Sequence, residues 1–329
     1  MSERLVDPYD VALFDLDGVV YIGPYAVDGA PEALAGLHAA GVRTMYLTNN
    51  AAPSPQSVAD KLVNLGIPAP LDDVITSAQV AVDGLKRALP PGARVLVVGS
   101  GNLARLCAEA GFEVTGSADD QPAAVLQGYD PQLTWPRLDE AAFAVQRGAA
   151  WYATNDDATR PTERGLVPGL GVALYGVGLT VRVQPTIFGK PYPPMFDYAQ
   201  RRTGARRPIF VGDRLDTDIA GAVAAGMDSL LVFSGAHGKH ELLAASPDER
   251  PTAIGADLAA LLLPPRRARL GGEVALCGAH TVRKVAVDLR PDGALPTTVD
   301  GQLDILWAAA QLTWAGSGAR STTCWSPST

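Results

Sequence analysis

The chain has few cysteines and no long apolar run. Its three cysteines, Cys107, Cys277 and Cys324, lie far apart among 329 residues and form no C-x-x-C pair, which argues against a disulfide framework or a thiolate zinc site. No segment approaches the roughly 20 consecutive apolar residues that a membrane helix needs. The first residues also lack the basic start and apolar centre of a signal peptide. We therefore expect a cytoplasmic protein without a membrane partner.

Positive charge is also scarce. The formal net charge is −8, and no basic stripe is present, so nucleic acid is not an expected partner. The densest basic stretch is Arg266, Arg267 and Arg269 beside two prolines, and we interpret it as a solvated linker. Because an acidic chain offers no overall attraction to an anionic substrate, a local cation would have to bind one.

Strand-like and helix-like segments alternate along the chain. Residues 11–14 and 43–47 have the apolar composition of buried strands. Residues 31–40 and 54–65 have helical patterns, the second with Ser54 as a candidate N-cap before a proline. Alternation of this kind predicts right-handed βαβ crossovers and a parallel sheet.

The alternation continues beyond residue 83, in two groups. Further predicted strands are 94–98, 123–126, 150–154, 207–211 and 229–233, and further predicted helices are 103–110, 138–146 and 218–225. The last two strands are similar in apolar composition to the strands of the first segment. One sheet is therefore predicted to be interrupted by a large insertion.

The predicted fold is α/β. Residues 1–82 and 185–263 form a Rossmann-like parallel-sheet core, and residues 83–184 form an inserted α/β domain. Residues 264–329 form a short α/β C-terminal extension without an assigned role. Its predicted elements are strands at 273–277 and 282–289 and a helix at 302–314.

Polar groups suited to phosphate chemistry follow four strand ends. They are Asp15 and Asp17, then Thr48, Asn49 and Asn50, then Lys190, and finally Asp213 and Asp218. Ligands of open α/β sheets bind outside the carboxyl ends of the strands. Hydroxyl and amide donors, one ammonium and several carboxylates are the groups needed to hold a phosphoryl group with Mg²⁺.

In this order the motifs resemble those of the haloacid dehalogenase (HAD) superfamily phosphatases, over about residues 8–262. The sequences at 189–191 (Gly-Lys-Pro) and 212–218 (Gly-Asp-Arg-Leu-Asp-Thr-Asp) are similar to one branch of that superfamily. This branch contains nitrophenyl-phosphatase-like, phosphoglycolate and glycerol-3-phosphate phosphatases. An insertion between Thr48 and Lys190 implies an α/β cap of the C2 type over the site.

The resemblance implies a role for each polar residue. Asp15 would be the nucleophile that forms an aspartyl-phosphate, and Asp17 the general acid and base. Mg²⁺ would be held by the Asp15 carboxylate, the Asp17 backbone carbonyl and Asp213, with Asp218 in its outer shell. The phosphoryl group would be bound by Thr48, Asn49, Asn50 and Lys190.

The implied function is that of a Mg²⁺-dependent phosphomonoesterase acting on a small phosphorylated metabolite. Glycerol 3-phosphate is the preferred substrate hypothesis. Phosphoglycolate, pyridoxal phosphate and nucleotide monophosphates are the alternatives. A homo-oligomer formed through the cap is also compatible with the resemblance. The alternative from another class is a non-catalytic binding or regulatory protein on the same scaffold.

Three other sequence features have competing interpretations. Residues 99–104 imitate a dinucleotide fingerprint, but a tight strand-to-helix turn is the preferred interpretation. His237 and His240 could form a metal pair, although a solvated loop is favoured because no acidic or thiolate residue accompanies them. Residues 153–157 are either a structural loop of the cap or a specificity loop that reaches the site, and both interpretations stay open.

Overall fold

The first part of the chain folds as strands and helices in alternation. The computed structural model describes residues 3–162, 164–286 and 288–316, so Cys324 and the end of the predicted extension lie outside the described residues. The first elements are β1 (Val11–Asp15), β2 (Tyr21–Ile22), β3 (Tyr25–Ala26), α1 (Ala30–Ala39), β4 (Arg43–Thr48), α2 (Pro55–Asn64), β5 (Val74–Thr76) and α3 (Ser77–Ala88). Ser54 caps α2 as predicted, because its hydroxyl accepts the N–H of Ser57 at 3.0 Å.

The second part contains another series of strands. Its elements are β6 (Arg94–Val98), α4 (Gly101–Glu109), β7 (Glu113–Thr115), β8 (Ala124–Gln127), α5 (Trp135–Gln146), β9 (Ala150–Ala153), β10 (Thr159–Thr162), β11 (Gly165–Pro168), α6 (Leu170–Gly178) and β12 (Thr186–Ile187). The three strands predicted here are confirmed with small shifts of their ends. The amphipathic pattern of α4 and the apolar runs of β6 and β8 account for that agreement.

The last part of the chain returns to the first sheet and then adds a further small sheet. Its elements are α7 (Pro193–Thr203), β13 (Pro208–Gly212), a short π-helix (Leu215–Ile219), α8 (Ala220–Ala224), β14 (Asp228–Val232), α9 (Lys239–Ala244), β15 (Ala253–Gly255), β16 (Ala268–Gly271), β17 (Val274–Cys277), β18 (His280–Val285), β19 (Asp288–Pro291) and α10 (Val299–Ala315). Among the described residues, no helix combines the length and apolarity needed to cross a lipid bilayer.

The first sheet is parallel throughout and positions the site. Its strand order is β15-β14-β13-β1-β4-β5. All five residues of β1 are buried, because helices cover both faces of the sheet. β1 pairs with β4 on one side and β13 on the other, so their carboxyl ends lie side by side. The predicted Rossmann-like core is confirmed.

The second sheet is also parallel, with the order β12-β9-β8-β6-β7. Five strands with α4, α5 and α6 make an α/β unit within the first fold, as the insertion predicts. Thr186 and Ile187, which fall in the predicted second core segment, pair with β9. We therefore propose to move the boundary of the inserted unit from residue 184 to a point after Ile187.

The C-terminal extension differs from the prediction. β16 to β19 form a four-stranded antiparallel sheet, and the predicted strand at 282–289 is wrong. The chain turns at Ala286, whose φ is +57°, and β18 and β19 pair as a hairpin. The strand β16 contains Arg269, the last residue of the basic stretch that was interpreted as a linker. The predicted helix is confirmed as α10.

Arg266 is not the solvated linker residue that the sequence suggests. Its guanidinium donates to Asp300 and to Asp304 at 2.5 and 2.7 Å, and its side chain is 16% exposed. Both carboxylates belong to α10. Arg266 therefore ties the start of the extension to α10.

The extension packs against the core through one apolar cluster. Trp307 and Trp314 of α10 are buried and contact each other edge to face, with ring centroids 5.7 Å apart. The same cluster contains Leu242 of α9 and Leu215 and Ile219 of the π-helix. The extension therefore covers the elements that follow β13 and β14.

Candidate active site

A buried ion-paired lysine lies at the carboxyl end of β1. The ammonium of Lys190 donates to the carboxylate of Asp15 at 2.5 Å and to that of Asp218 at 2.7 Å. All three side chains are buried. Burial alone would lower the pKa of Lys190, but the two carboxylates raise that pKa above its ordinary value. Lys190 is therefore a permanent positive charge beside Asp15.

Three carboxylates meet around this lysine. Asp15, Asp213 and Asp218 each bring an oxygen within 4.8 Å of the others. Burial, aided by the neighbouring acids, raises the pKa of Asp15 well above its ordinary value and that of Asp213 to about 7. One ammonium facing three acids leaves negative charge uncompensated.

Asp213 provides the clearest sign of a cation position. Its Oδ2 accepts the N–H of Ala236 at 2.7 Å, whereas its buried Oδ1 has no hydrogen-bond partner in the part of the chain that the structure describes. Buried polar atoms normally have partners. A set of carboxylate oxygens with one such atom free suits a hard divalent cation.

Asp218 acts as a brace for these groups. Its Oδ1 accepts from Lys190, and its Oδ2 accepts the N–H groups of Asp213 and Arg214 at 3.2 and 3.1 Å. The π-helix begins three residues before it and turns its side chain back to these donors. Because both oxygens have protein partners, this geometry supports the outer-shell position predicted for Asp218.

Asp17 has a different environment from Asp15. Leu16 between them is buried in the core, while the side chain of Asp17 is exposed. Partial loss of water around its carboxylate raises the pKa of Asp17 above its ordinary value, against the opposing charges of Lys61 and Lys190. Asp17 therefore lies at the mouth of the site, outside the carboxylate cluster.

Thr48 and Asn50 form a compact turn at the end of β4. The hydroxyl oxygen of buried Thr48 accepts the N–H of Asn50 at 3.1 Å, and the Asn50 side chain accepts the N–H of Ala52 at 3.2 Å. The Thr48 hydroxyl keeps its own proton for donation. This agrees with the phosphate-binding role predicted for the turn.

The side chain of Asn49 binds the backbone of Lys190, a role that the sequence did not predict. Its amide Oδ1 accepts the N–H of Lys190 at 2.8 Å, and its Nδ2 donates to the Lys190 carbonyl at 3.0 Å and to Asp157 at 3.1 Å. The side-chain amide of Asn49 is thus occupied by protein groups, and its carbonyl accepts from Ser77 and Asn155, so its backbone N–H is the group left for the predicted phosphate-binding role. The side chain holds Lys190 in place.

The loop after β9 reaches this part of the site. Asn155 donates to the carbonyl of Asn49 at 2.7 Å, and burial raises the pKa of Asp157 to about 6. Tyr192 donates to Asp156 at 2.6 Å. Polar residues at the end of a parallel strand were the available signal. Of the two interpretations, the structure favours a loop that reaches the site.

The glycine-rich segment after β6 is a strand-to-helix turn. The Ser100 hydroxyl accepts the N–H of Leu103 at 3.4 Å and so caps α4. Asn102 donates to the carbonyl of Pro53 at 3.0 Å. The turn therefore connects the inserted unit to the segment that follows Asn50.

The two histidines have unlike surroundings. His240 is exposed, whereas the side chain of His237 is 21% exposed and its Nδ1 accepts the N–H of Leu215 at 2.9 Å. A solvated loop is therefore the wrong interpretation for His237. Its acceptor role needs two loops to meet, which no local pattern could show.

Comparisons with known proteins decide the family. The family model described as haloacid dehalogenase-like hydrolase matches residues 12–113, and the HAD-hydrolase-like model matches residues 187–261. D-glycerol 3-phosphate phosphatase of Mycobacterium tuberculosis is 42% identical over 259 residues, which are 79% of this chain and 72% of that protein. The chain belongs to the haloacid dehalogenase-like hydrolases. Acid sugar phosphatase of Staphylococcus aureus is 35% identical over 229 residues, 69% of this chain and 87% of that protein.

Solved structures agree with this membership. Glycerol phosphate phosphatase from M. tuberculosis, in complex with magnesium, superposes on this HAD hydrolase with a TM-score of 0.81 and 37% identity, covering 96% of this chain and 93% of that one. The 4-nitrophenylphosphatase of Thermotoga maritima gives a TM-score of 0.73 at 27% identity, over 79% and 98% of the two chains. The predicted branch is confirmed, and with it the enzyme class, a phosphoric monoester hydrolase that uses a divalent metal.

Proposed function

We propose that this HAD phosphatase hydrolyses glycerol 3-phosphate with Mg²⁺ as its cation. The observation that carries the proposal is a buried cluster. In it Asp15 contacts Lys190 and lies near an oxygen of Asp213 that has no hydrogen-bond partner among the described residues. Such a cluster provides a nucleophile, a fixed positive charge and a cation position at one strand edge. The similarity to a curated protein and to a solved structure, both from M. tuberculosis and both named for glycerol phosphate, supports the substrate.

In the proposed mechanism, a carboxylate oxygen of Asp15 attacks phosphorus and the bond from phosphorus to the leaving oxygen breaks. Asp17 gives its proton to that leaving oxygen. Asp17 then takes a proton from water, whose oxygen attacks phosphorus and releases Asp15 and inorganic phosphate. Lys190 offsets the negative charge that gathers around the transferring group.

The metal would be held by the Asp15 carboxylate, the Asp17 carbonyl and Asp213. When bound, it supplies positive charge beside the phosphoryl oxygens and lowers the repulsion between them and Asp15. Asp218 would keep both Asp213 and Lys190 in place through the hydrogen bonds already described.

The cap loop supports a neutral leaving group. Asp157 places a carboxyl group beside Asn49 and near the charge of Lys190, and Asp156 of the same loop adds a second carboxyl group that accepts from Tyr192. Charges of like sign repel at short range, so a leaving group that itself carries a carboxylate is disfavoured. Glycerol fits this surrounding better than glycolate does.

The test is phosphate release from a panel of metabolites, with Mg²⁺ and with EDTA. We expect the highest kcat/KM for glycerol 3-phosphate and no release in EDTA.

Asp15→Asn is expected to lose activity by about 10⁴-fold or more, since it removes the nucleophile. The control Asp60→Asn, at an exposed position, is expected to behave as the native chain. A higher kcat/KM for phosphoglycolate would contradict the substrate, and activity retained by Asp15→Asn would contradict the mechanism. A non-catalytic binding protein would release no phosphate from any ester.

We also propose that copies of the chain associate through the cap. Val172, Tyr175 and Leu179 lie on α6 or directly after it and are 54%, 70% and 70% exposed. Their spacing puts them along one side of the helix, where they form an apolar strip. Light scattering after size exclusion would show a monomer if this proposal is wrong.

The proposed location is the cytoplasm. Within the described residues Cys107 and Cys277 are both buried and neither forms a disulfide, which suits a reducing compartment.

A further inference from the structure

The loop after β14 encloses the carboxylate of Asp213. This loop, residues 234–237, is called the β14 loop below. The N–H of Ala236 donates to Asp213 Oδ2 at 2.7 Å, and the N–H of His237 donates to the Asp213 carbonyl at 3.1 Å. A Cβ atom on Gly235 would overlap the Asp213 carboxylate, so the backbone lies directly against it. The β14 loop therefore fixes one carboxylate oxygen and aims the other at the cation position.

The ring of His237 fastens this loop on one side. Its Nδ1 accepts the N–H of Leu215 at 2.9 Å, and Leu215 begins the π-helix that carries Asp218. The ring is mostly buried, and its Nε2 lies 3.9 Å from Asp216. The bond ties the far end of the β14 loop to the segment that follows Asp213. The β14 loop, which contacts the Asp213 carboxylate, is thus tied to the segment that follows Asp213 in the chain.

Ser234 fastens the other side of the loop to the first motif. Its hydroxyl donates to the carbonyl of Gly18 at 2.7 Å. Gly18 has a φ of +91°, and a Cβ atom there would overlap Asp213 Oδ2, so this backbone also approaches Asp213 closely. Gly18 follows Asp17, whose carbonyl is a proposed metal ligand. The β14 loop therefore connects the two segments that would supply ligands.

We propose that His237 and Ser234 are positioning residues for the divalent cation, acting through Asp213 and through the Asp17–Gly18 backbone. Neither residue would touch the metal or the substrate. This inference rests on the proposed metal site. Groups that orient metal ligands typically change metal affinity by about 10- to 100-fold when they are removed.

The experiment measures Mg²⁺ binding to the full chain by calorimetry, in the absence of substrate. His237→Ala removes the acceptor for Leu215, and we expect Mg²⁺ affinity about 10- to 100-fold weaker. His237→Asn is expected to recover most of the affinity, because the asparagine Oδ1 can accept the same N–H. His240→Ala is the matched control and should bind as the native chain does, because His240 is exposed.

Activity provides a second measurement. The Mg²⁺ concentration for half-maximal activity should rise in His237→Ala, while kcat at saturating Mg²⁺ changes much less. If His237 had only a structural role, its removal would lower kcat without shifting that Mg²⁺ concentration. The activity of His237→Asn would then not depend on whether its side chain accepts the N–H of Leu215.

Ser234→Ala tests the other contact and decides the matter if His237→Ala does not fold, as judged by circular dichroism. We expect weaker binding in Ser234→Ala and native binding in Ser234→Thr, which keeps the hydroxyl. Native Mg²⁺ affinity in folded His237→Ala, or in Ser234→Ala where the first variant is unfolded, overturns the inference.

Asp213→Asn separates this inference from the proposed metal site. Native Mg²⁺ binding in Asp213→Asn refutes the metal site itself. Lost binding in Asp213→Asn together with native binding in His237→Ala refutes only the positioning role.

Discussion

Two aspartates separated by one residue have opposite surroundings at the residue scale. Asp15 is buried against Lys190, and Asp17 faces solvent at the mouth of the site. The first arrangement holds a nucleophile in one position. The second leaves room for a leaving group and for exchange of a proton with water. Their different environments match the two different tasks proposed for them.

Asp17→Asn separates proton transfer from metal binding. We expect kcat on glycerol 3-phosphate to fall by about 10²- to 10⁴-fold, while Mg²⁺ affinity stays near native, because the proposed ligand is the Asp17 carbonyl. Formation of the aspartyl-phosphate from 4-nitrophenyl phosphate should fall less, since nitrophenolate leaves without a proton. Rapid-quench measurement of the first turnover gives that rate.

Equal losses on the two esters would show that Asp17 does not protonate the leaving oxygen. A large loss of Mg²⁺ affinity would indicate instead that its carboxylate binds the metal.

At the scale of elements, the loop after β9 joins the cap to the core through titratable groups. Burial raises the pKa of Asp157 to about 6, although the amide of Asn49 donates to it. The folded state thus holds the proton on Asp157 at a higher pH than the unfolded state does. Between about pH 4 and pH 6 this group makes the protein less stable as the pH rises.

Asp157→Asn should remove that contribution. We expect the free energy of unfolding, measured by urea titration in EDTA, to fall less between pH 4.5 and pH 7 in this variant than in the native chain. Asp156→Asn serves as the control from the same loop. Identical pH dependence in Asp157→Asn and the native chain would show that Asp157 titrates normally in the folded state.

The helix α10 makes a second prediction at this scale. Trp307 is 5% exposed and packs on Trp314 within the cluster shared with α9 and the π-helix. Trp307→Ala should lower the free energy of unfolding by about 3–5 kcal/mol, whereas Val299→Ala, at 59% exposure on the same helix, should change it little. Calorimetry is expected to show one transition.

A separate early transition in Trp307→Ala, with the main one unchanged, would mean that the extension unfolds alone. If the protein stays active after that early transition, the extension has no part in the site.

For the whole molecule, the sequence predicted what depends on strand ends and failed where distant loops meet. Asp15 and Asp213 were placed together correctly because β1 and β13 are parallel neighbours that present their carboxyl ends at one edge. Lys190 follows β12 of the second sheet, so its position beside Asp15 was predicted by the family resemblance and not by the strand order. The roles of Asn49 and His237 depend on hydrogen bonds to segments far away in the chain, and no local pattern encodes such partners. The strands of the extension are short and mostly exposed, so their apolar periodicity is too weak to separate two strands from one.

The hydrogen bonds of Asn49 have a kinetic consequence. The same side chain contacts Asp157 of the cap loop and both backbone groups of Lys190, its N–H and its carbonyl. If the cap swings away to admit an ester or to release phosphate, the bond to Asp157 breaks and one restraint on the lysine is lost with it. Asp15 and Asp218 hold the ammonium of Lys190 directly, so the charge beside the nucleophile would persist in the open state, and each turnover would begin with that charge already in place.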